Sequence, residues 1–302
     1  MAFTAKDVKT LRDKTGCGMM DCKKALTEAQ GDMALAVDFL REQGLAKAEK
    51  KSGRIAAEGI AYACTNADNT VGAVIEINTE TDFVAKNADF QAFVNTCALT
   101  VIEQNPADVE ALLQCVPTGE ELTVEKLLQE KILTIGENIV IRRFMRYDDT
   151  VVTYIHAAGR IGVMIKFDTD VEVTDKFISF GRDIAMQVAA VNPSFLNKES
   201  VTDDVLEHEK KILTEQVMNE GKPAQIAEKI VMGKIGKFYK ENCLLEQAFV
   251  KQADISVLQY VNNTAKEFGG SIKVVDFVRF EKGEGLEKRE DNFAEEVASM
   301  VK

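Results

Sequence analysis

The sequence lacks the signals of a membrane or secreted protein. Its 302 residues contain no run of about 18 consecutive apolar residues, so we predict no membrane-spanning helix. The N-terminal stretch MAFTAKDVKTLRDKTG carries charges where a secretory signal has its apolar core. We therefore expect a cytoplasmic protein that does not bind membranes.

Residues that commonly hold metal ions are also few. The chain has two histidines, His156 and His208, and six cysteines that form no CxxC pair. Cys17 and Cys22 form a C-x4-C pattern, but no second pair of ligands lies nearby. We interpret the cysteines as reduced, mostly core residues, and we predict no metal site and no cofactor.

The common motifs of nucleotide binding and hydrolysis are missing. There is no GxxxxGK[ST] phosphate loop, no GxSxG and no HExxH, and GEGLEK at 283–288 is not a dinucleotide fingerprint. Glu80 and Asp82 are a pair of carboxylates suited to acid–base chemistry, but they have no companion site. We predict no catalytic residues.

The charge balance is acidic. Lys and Arg number 37 against 49 Asp and Glu, which gives a net charge of −12 and an isoelectric point near 4.9. Phosphate binding needs clustered basic residues, so this charge argues against direct DNA binding. A partner with basic patches is compatible with it. The apolar fraction of 46% and the length fit a soluble globular protein with two or three domains.

Residues 1–54 are predicted to form a compact unit of three helices. Thr4 caps the first helix, the second covers about 20–29, and the third runs from Asp32 to Gly44. The third helix is expected to turn these apolar residues toward a small core: Leu35, Ala36, Phe39 and Leu40. The basic run Lys47–Lys51 that follows is interpreted as a solvated helical linker.

The middle of the chain contains an internal repeat. GAVIEINTETDFV (72–84) and GVMIKFDTDVEVT (162–174) are both alternating strands, and each is followed by a helical pattern. The order of strand, strand and helix predicts an α+β core of two related halves with antiparallel sheets. We place the halves at 55–148 and 149–280.

A helical hairpin interrupts the second half at 203–240. Two helical patterns flank the GKP tripeptide at 221–223, and Pro223 suits the first turn of the second helix. We expect the hairpin to be antiparallel, to project from the body, and to close its seam with Val205, Ile212, Val217, Ile226, Ile230 and Ile235. A further helix and strand follow, then a terminal helix within 281–302.

Several segments together resemble the bacterial translation elongation factor Ts family. They include TGCGMMDCKKAL, TETDFVAKNADFQAF, GENIVIRRF, YIHAAGRIGV and GKPAQIAEKIVMGKIGKFYKEN, and the similarity runs in order from about residue 3 to residue 302. The resemblance implies guanine-nucleotide exchange on the GTPase elongation factor Tu. It also implies a ubiquitin-associated-like N-terminal docking domain at 1–54, a coiled-coil hairpin and a C-terminal helical module at 281–302.

The resemblance assigns partner-binding roles to two sets of residues. The first is a wedge that enters the GTPase and disturbs its magnesium site: Thr81, Asp82, Phe83 and Val84. The second surrounds it: Arg12, Met19, Met20, Lys23 and His156. The residues alone favour a Phe83 that packs on the core, an Asp82 that caps the next helix, a surface or structural His156 and core methionines. The family commonly has glycine where this chain has Ala157 and Ala158, so the geometry of that turn stays open.

One other class of function competes with exchange. A non-catalytic scaffold or chaperone-like protein could carry the same helical unit, but it has no need of an exposed wedge at a strand exit. The resemblance leaves the stoichiometry open between a one-to-one complex and a dimer of heterodimers.

Overall fold

The computed structural model describes residues 3–220 and 223–287 of the chain. The helix predicted for the last twelve residues, most of the 281–302 module and Gly221 of the hairpin tip lie outside the described residues. Among the residues that are described, no helix has the length and apolar character needed to cross a membrane.

Three helices form near the N-terminus, as predicted. Helix α1 spans Ala5–Thr15, α2 spans Met19–Glu28 and α3 spans Met33–Lys51. At the start of α1 the Thr4 hydroxyl accepts a hydrogen bond from the amide of Asp7, whose carboxylate accepts one from the amide of Thr4. Their shared core contains Val8, Leu11, Cys17, Cys22, Ala25, Leu26, Ala36, Leu40 and the later Leu133.

The predicted end of α3 at Gly44 is wrong. The helix continues to Lys51, and Gly44 is buried against a later helix, where an added Cβ would lie 3.5 Å from the carbonyl oxygen of Gln129. The glycine therefore lies inside the helix, at its contact with a later helix, and does not end it. Leu35 was also assigned wrongly to the core, since it is 58% exposed.

The basic run at the end of α3 is not a free linker. Lys47 Nζ lies 2.8 Å from Asp21 Oδ1 on α2, and Lys51 Nζ donates a 3.5 Å hydrogen bond to the carbonyl oxygen of Ile132. Ala48 packs against the core of the first half. The last turns of α3 thus contact both neighbours, and the boundary at residue 54 stays a prediction.

The first half of the core is a three-stranded antiparallel sheet covered by helices. The elements are β1 Glu58–Thr65, β2 Val71–Thr79, α4 Asp82–Ala85, α5 Ala88–Gln104, α6 Val109–Gln114, α7 Val124–Ile135 and β3 Ile139–Asp148. The strand order is β1-β2-β3, so the hairpin partner β2 is central. Apolar side chains of this sheet pack against α5 and α7.

The second half repeats this plan around a second sheet. The elements are β4 Thr150–His156, β5 Ile161–Thr169, α8 Asp175–Val191, α9 Asp203–Asn219, α10 Ala224–Asn242, β6 Ala248–Phe249, β7 Gln252–Ser256, α11 Val257–Phe268 and β8 Ile272–Glu281. The order β4-β5-β8 again places the second strand of the hairpin in the centre. Helices α8 and α11 cover this sheet.

The predicted repeat is confirmed in detail by strand register. Thr79 pairs with Ile139 at the end of β2, and Thr169 pairs with Ile272 at the end of β5. Each central strand has its irregularity at the same place, between Glu76 and Ile77 or between Lys166 and Phe167. The mixed α+β class with antiparallel sheets is therefore correct.

The two sheets pack face to face, and glycines lie at their points of close contact. An added Cβ at Gly72 would lie 2.8 Å from the sulfur of Met164, and one at Gly162 would lie 3.1 Å from Val74. These two contacts run in opposite directions along the chain, so β2 and β5 face each other antiparallel. The exit of β2 consequently lies beside the turn that leads into β5.

The helical hairpin forms, but its seam was only partly predicted. Helices α9 and α10 pack through Leu213, Val217, Ala227, Val231 and Ile235, with Leu206, Ile230 and Tyr239 at the margin. Val205 and Ile212 are exposed instead. Leu206 and Leu213 follow them by one residue with the same seven-residue spacing, and periodicity alone cannot choose between adjacent stripes.

Candidate functional site

Phe83 protrudes from a one-turn helix at the exit of β2. The backbone of Thr81 is extended, and α4 begins at Asp82. Phe83 is 79% exposed, whereas the next residue, Val84, is buried in the core of the first half. The core interpretation of Phe83 is therefore wrong, and the short helix presents an aromatic ring to solvent while Val84 holds it to the body.

Asp82 does not cap the following helix. Asn87 caps α5 through its side chain, while Asp82 pairs with Lys86 at 2.7 Å within the first turn. That hydrogen bond lowers the pKa of Asp82 below its ordinary value of 3.8. The Lys86 ammonium also lies 5.8 Å from the centre of the Phe83 ring. The segment thus presents a carboxylate and an aromatic ring side by side.

The residues that follow β2 are hydrogen-bonded to the residues that precede β3. Glu80 Oε1 accepts a 2.6 Å hydrogen bond from the amide of Asn138. Glu137 accepts two hydrogen bonds from Thr81, at 2.6 Å from the hydroxyl and 3.0 Å from the amide. Glu80 therefore has a structural partner of its own, while Asp82 pairs with Lys86.

The N-terminal helices lie across a cleft from α4. The walls of this cleft include Thr15 and Gly16 from the end of α1, Phe83 and Val84 from α4, and Thr134 from α7. An added Cβ at Gly16 would lie 3.6 Å from the side chain of Thr134. The loop after α1 and the exposed ring of Phe83 therefore share one region of the surface.

Two methionines begin α2, after the loop that contains Gly16. Met19 is 54% exposed and Met20 is 73% exposed, so neither belongs to the core. The face of α2 that is buried is formed by Cys22, Ala25 and Leu26 further along the helix. Arg12 and Lys23, the other two residues assigned to a partner contact, are exposed on α1 and α2.

His156 ends β4 at the same end of the paired sheets as α4. Its Nδ1 lies 3.0 Å from the hydroxyl of Tyr154, and its ring is exposed. In the turn that follows, Gly159 packs against Ile60, whose strand partner is Ile77 of β2. Lys282, after β8, forms an ion pair with Glu58 and also lowers the pKa of Asp82.

The turn after His156 has an unusual backbone. Ala157 and Ala158 have φ angles of 47° and 53°, in the left-handed region that glycine occupies most easily. Gly159 follows at φ 92°. The two alanines therefore adopt the left-handed conformation at some cost in backbone strain. In this way the chain forms the turn without glycine at these two positions.

Sequence reasoning missed the buried charge beneath this end of the sheets. Glu76 is fully buried in β2 and accepts hydrogen bonds from Arg142, Arg143 and the amide of Gly283 at 2.6–2.9 Å. The one available signal was an acidic residue within an apolar strand. The network joins β2, β3 and the GEGLEK turn, which supplies its amide to Glu76.

The described residues contain no group of three or more His, Cys, Asp or Glu side chains placed to hold a metal ion. The six cysteines carry free thiols, and Cys17, Cys22, Cys97 and Cys243 are buried. Burial raises the pKa of Cys64 to about 11 and that of Cys243 to about 11. These two thiols are therefore protonated near neutral pH.

The chain is similar to known proteins along its whole length. A family model described as Elongation factor TS matches residues 80–284. Elongation factor Ts of Clostridioides difficile (strain 630) is 50% identical over 302 residues, which cover 99% of both chains. Elongation factor Ts of Syntrophotalea carbinolica is 47% identical over 305 residues and 100% of both, and that of Clostridium kluyveri is 48% identical over 303 residues and 99% of both.

Proposed function

The chain belongs to the elongation factor Ts family, and from this membership and the surface around α4 we propose that it is the guanine-nucleotide exchange factor of elongation factor Tu. It acts on a GTPase and carries out no bond chemistry of its own. That its relatives are elongation factor Ts proteins supports elongation factor Tu as the partner, and membership of a translation factor family supports a cytoplasmic site of action.

The observation that carries the mechanism is the exposure of Phe83. Large aromatic residues are usually buried, and transferring a phenylalanine from water to an apolar site is worth roughly 1.5–3 kcal/mol. Here the ring is 79% exposed on a helix that Val84 and Glu137 hold in place. An exposed ring on an anchored support is suited to insertion between elements of a partner.

Exchange follows when that insertion favours the empty GTPase over the loaded one. The difference between the two affinities is a coupling free energy, and bound nucleotide must weaken the complex by the same factor. Each tenfold change in affinity corresponds to about 1.4 kcal/mol. In the proposed mechanism the wedge is formed by Thr81, Asp82, Phe83 and Val84. Asp82 and Phe83 enter the GTPase while Val84 and Thr81 hold them to the body, and the charge of Asp82 disturbs the magnesium site.

The residues around the cleft extend the contact surface. We assign docking to Arg12, Met19, Met20 and Lys23, and a contact beside α4 to His156. Methionine is adaptable and polarizable, which suits a surface that binds a partner only transiently. Residues 1–54 form the docking domain of this proposal and have a ubiquitin-associated-like arrangement.

The other parts of the proposed architecture follow from the family. They are core halves at 55–148 and 149–280, a coiled-coil hairpin at 203–240 and a helical module at 281–302. The complex is a one-to-one pair or a dimer of heterodimers, and sedimentation of the mixed proteins separates these two cases by mass.

Release of fluorescent GDP from elongation factor Tu tests the proposal. We expect the full chain to accelerate release in stopped-flow mixing with excess unlabelled GDP, and Phe83→Ala to slow that release by about tenfold or more at unchanged thermal stability. A scaffold without exchange activity would bind the GTPase but leave the release rate at its unassisted value, which would defeat the proposal.

A further inference from the structure

Glu137 makes a polar contact that ties the start of α4 to the body of the protein, in addition to the apolar contact of Val84. It lies between the left-handed Gly136 that ends α7 and the buried Asn138 that precedes β3. Its two carboxylate oxygens accept from the hydroxyl of Thr81 at 2.6 Å and from the amide of Thr81 at 3.0 Å. Glu137 and Thr81 are 56 residues apart, so this contact exists only in the folded chain.

Comparison of the two repeated halves shows which of these hydrogen bonds occurs in both. In the first half Glu80 accepts from the amide of Asn138, and in the second half Asp170 accepts from the amide of Ser271, both at 2.6 Å. The two pairs occupy equivalent places, after the central strand and before the third strand. This carboxylate–amide bond therefore belongs to the fold of both halves.

The contact between Glu137 and Thr81 can form only in the first half, because the second half has different residues at the two equivalent positions. The equivalent positions of the second half are Gly270, which has no side chain, and Val171, which has no hydroxyl. An added Cβ at Gly270 would lie 2.5 Å from Asp170, so the second half has no space for such a side chain. The half with the exposed Phe83 has the additional bond.

We propose that Glu137 is a positioning residue for exchange, which holds α4 so that Phe83 meets the GTPase already oriented. The inference rests on the proposed function. A four-residue helix is not stable by itself, and the Thr81 hydroxyl donates to Glu137 and makes no hydrogen bond to the helix amides. Together with the buried Val84, Glu137 restrains the start of α4, and orienting Phe83 before binding lowers the entropy lost in the complex.

A measurement on the free protein tests the restraint without the GTPase. The chain contains no tryptophan, so Phe83→Trp introduces a single indole at the exposed position. We expect its time-resolved fluorescence anisotropy to decay faster when Glu137→Ala is added. An unchanged decay would show that Glu137 does not restrain α4 and would overturn the proposal.

Stopped-flow GDP release tests the role in exchange. Glu137→Ala is expected to slow catalysed release by about three- to tenfold, the effect that ordering one side chain has on binding. In the Phe83→Ala background the same substitution should have almost no further effect, because Glu137 acts through Phe83. Additive losses, or an unchanged rate for Glu137→Ala, would overturn the positioning role.

Three variants separate positioning from folding. Glu137→Gln and Thr81→Val remove less of the contact and cover the case in which Glu137→Ala folds poorly; both should slow release less than Glu137→Ala does. Asp170→Ala removes the general bond in the second half and should lower the melting temperature while release per folded molecule is unchanged. If Glu137→Ala behaves like Asp170→Ala, Glu137 is merely structural.

The same experiment distinguishes the two failures. If Phe83→Ala leaves catalysed release unchanged, the wedge of the proposed function is wrong, whatever Glu137 does. If Phe83→Ala slows release and Glu137→Ala does not, the exchange mechanism stands and the positioning role of Glu137 is wrong.

Discussion

The two halves of the core differ most where the central strand passes into the helix. Both halves use a three-stranded sheet and a 17-residue helix that ends at a left-handed asparagine, Asn105 or Asn192. Residues 80–87 connect β2 to α5, whereas the shorter segment 170–174 connects β5 to α8. The longer connection of the first half contains α4.

This difference separates the scaffold from the contact surface. In the second half Val171 and Val173 of the short connection pack on the core. In the first half Val84 packs on the core in a similar way, but Phe83 beside it faces solvent. The same architecture therefore supports a plain connection in one half and a presented aromatic ring in the other, because a surface connection can lengthen without disturbing the sheet.

The largest expected effect comes from truncating the phenylalanines that the halves share. Phe90 on α5 and Phe177 on α8 are fully buried at equivalent positions. Phe90→Ala and Phe177→Ala should each lower the free energy of unfolding by about 3–5 kcal/mol, and Phe83→Ala should leave it nearly unchanged. Urea denaturation followed by circular dichroism measures all three, and a comparable loss for Phe83→Ala would return that residue to the core.

Exchanging the connections tests the comparison directly. Replacing residues 80–87 by the second-half sequence DVEVT removes α4, while the threonine of the graft can cap α5 as Thr174 caps α8. We expect a folded protein that has lost at least about tenfold of its catalysed GDP release. The chain with its native residues 80–87 is the control, and full exchange by the shortened chain would show that α4 is not the active element.

Substitution of the glycines between the two sheets tests whether both halves contribute equally to the close packing there. An added methyl at Gly72 meets Met164 and Val151, and one at Gly162 meets the backbone of Ala61. Gly72→Ala and Gly162→Ala should each cost about 1–3 kcal/mol in thermal melts. Gly53→Ala is the control, since the described residues leave the space around it open. A neutral result at either interface glycine would mean that the sheets separate easily there.

The two hairpin turns differ in strain. The turn between β1 and β2 places Asn69 in the left-handed region at φ 56°, which asparagine tolerates, whereas the turn after His156 places two alanines there. Ala158→Gly should raise the free energy of unfolding by about 0.5–1 kcal/mol, and Ala158→Val should lower it. Calorimetry checks both. If Ala158→Gly instead lowers the free energy of unfolding, the backbone at Ala158 is not strained and the prediction is wrong.

The smallest effect concerns acid pH. The hydrogen bond from Lys86 lowers the pKa of Asp82, and the hydrogen bond from the Ser271 amide lowers that of Asp170, both from 3.8. Each carboxylate therefore stabilises the fold above that value, and the contribution is lost as the pH falls through the folded-state pKa. In an NMR titration, Lys86→Met should raise the pKa of Asp82 and leave Asp170 unchanged; a shift at both sites would show coupling between the connections.

Much of the fold was predictable because it depends on local patterns. The helical pattern expected after residues 72–84 forms α5, which spans Ala88–Gln104 with Asn87 and Asn105 at its ends. The hairpin seam was less predictable, because Val205 and Leu206 offer neighbouring stripes with the same period. Gly44 was misread for a related reason: a glycine in a helix signals an end or a close contact, and only the position of α7 distinguishes them.

By itself the sequence determined the strand–strand–helix repeat and the caps of the helices, because periodicity and turn chemistry act over a few residues. It also determined the family, because the motifs that identify it occur in the same order along the chain. Tertiary structure alone decided which apolar residues remain exposed and how α4 is held. Phe83 and Phe90 are the same residue type, seven positions apart, and their burial differs because only one faces the sheet. The bond from Thr81 to Glu137 spans 56 residues, and no local pattern encodes a contact that requires β2 and β3 to be paired first.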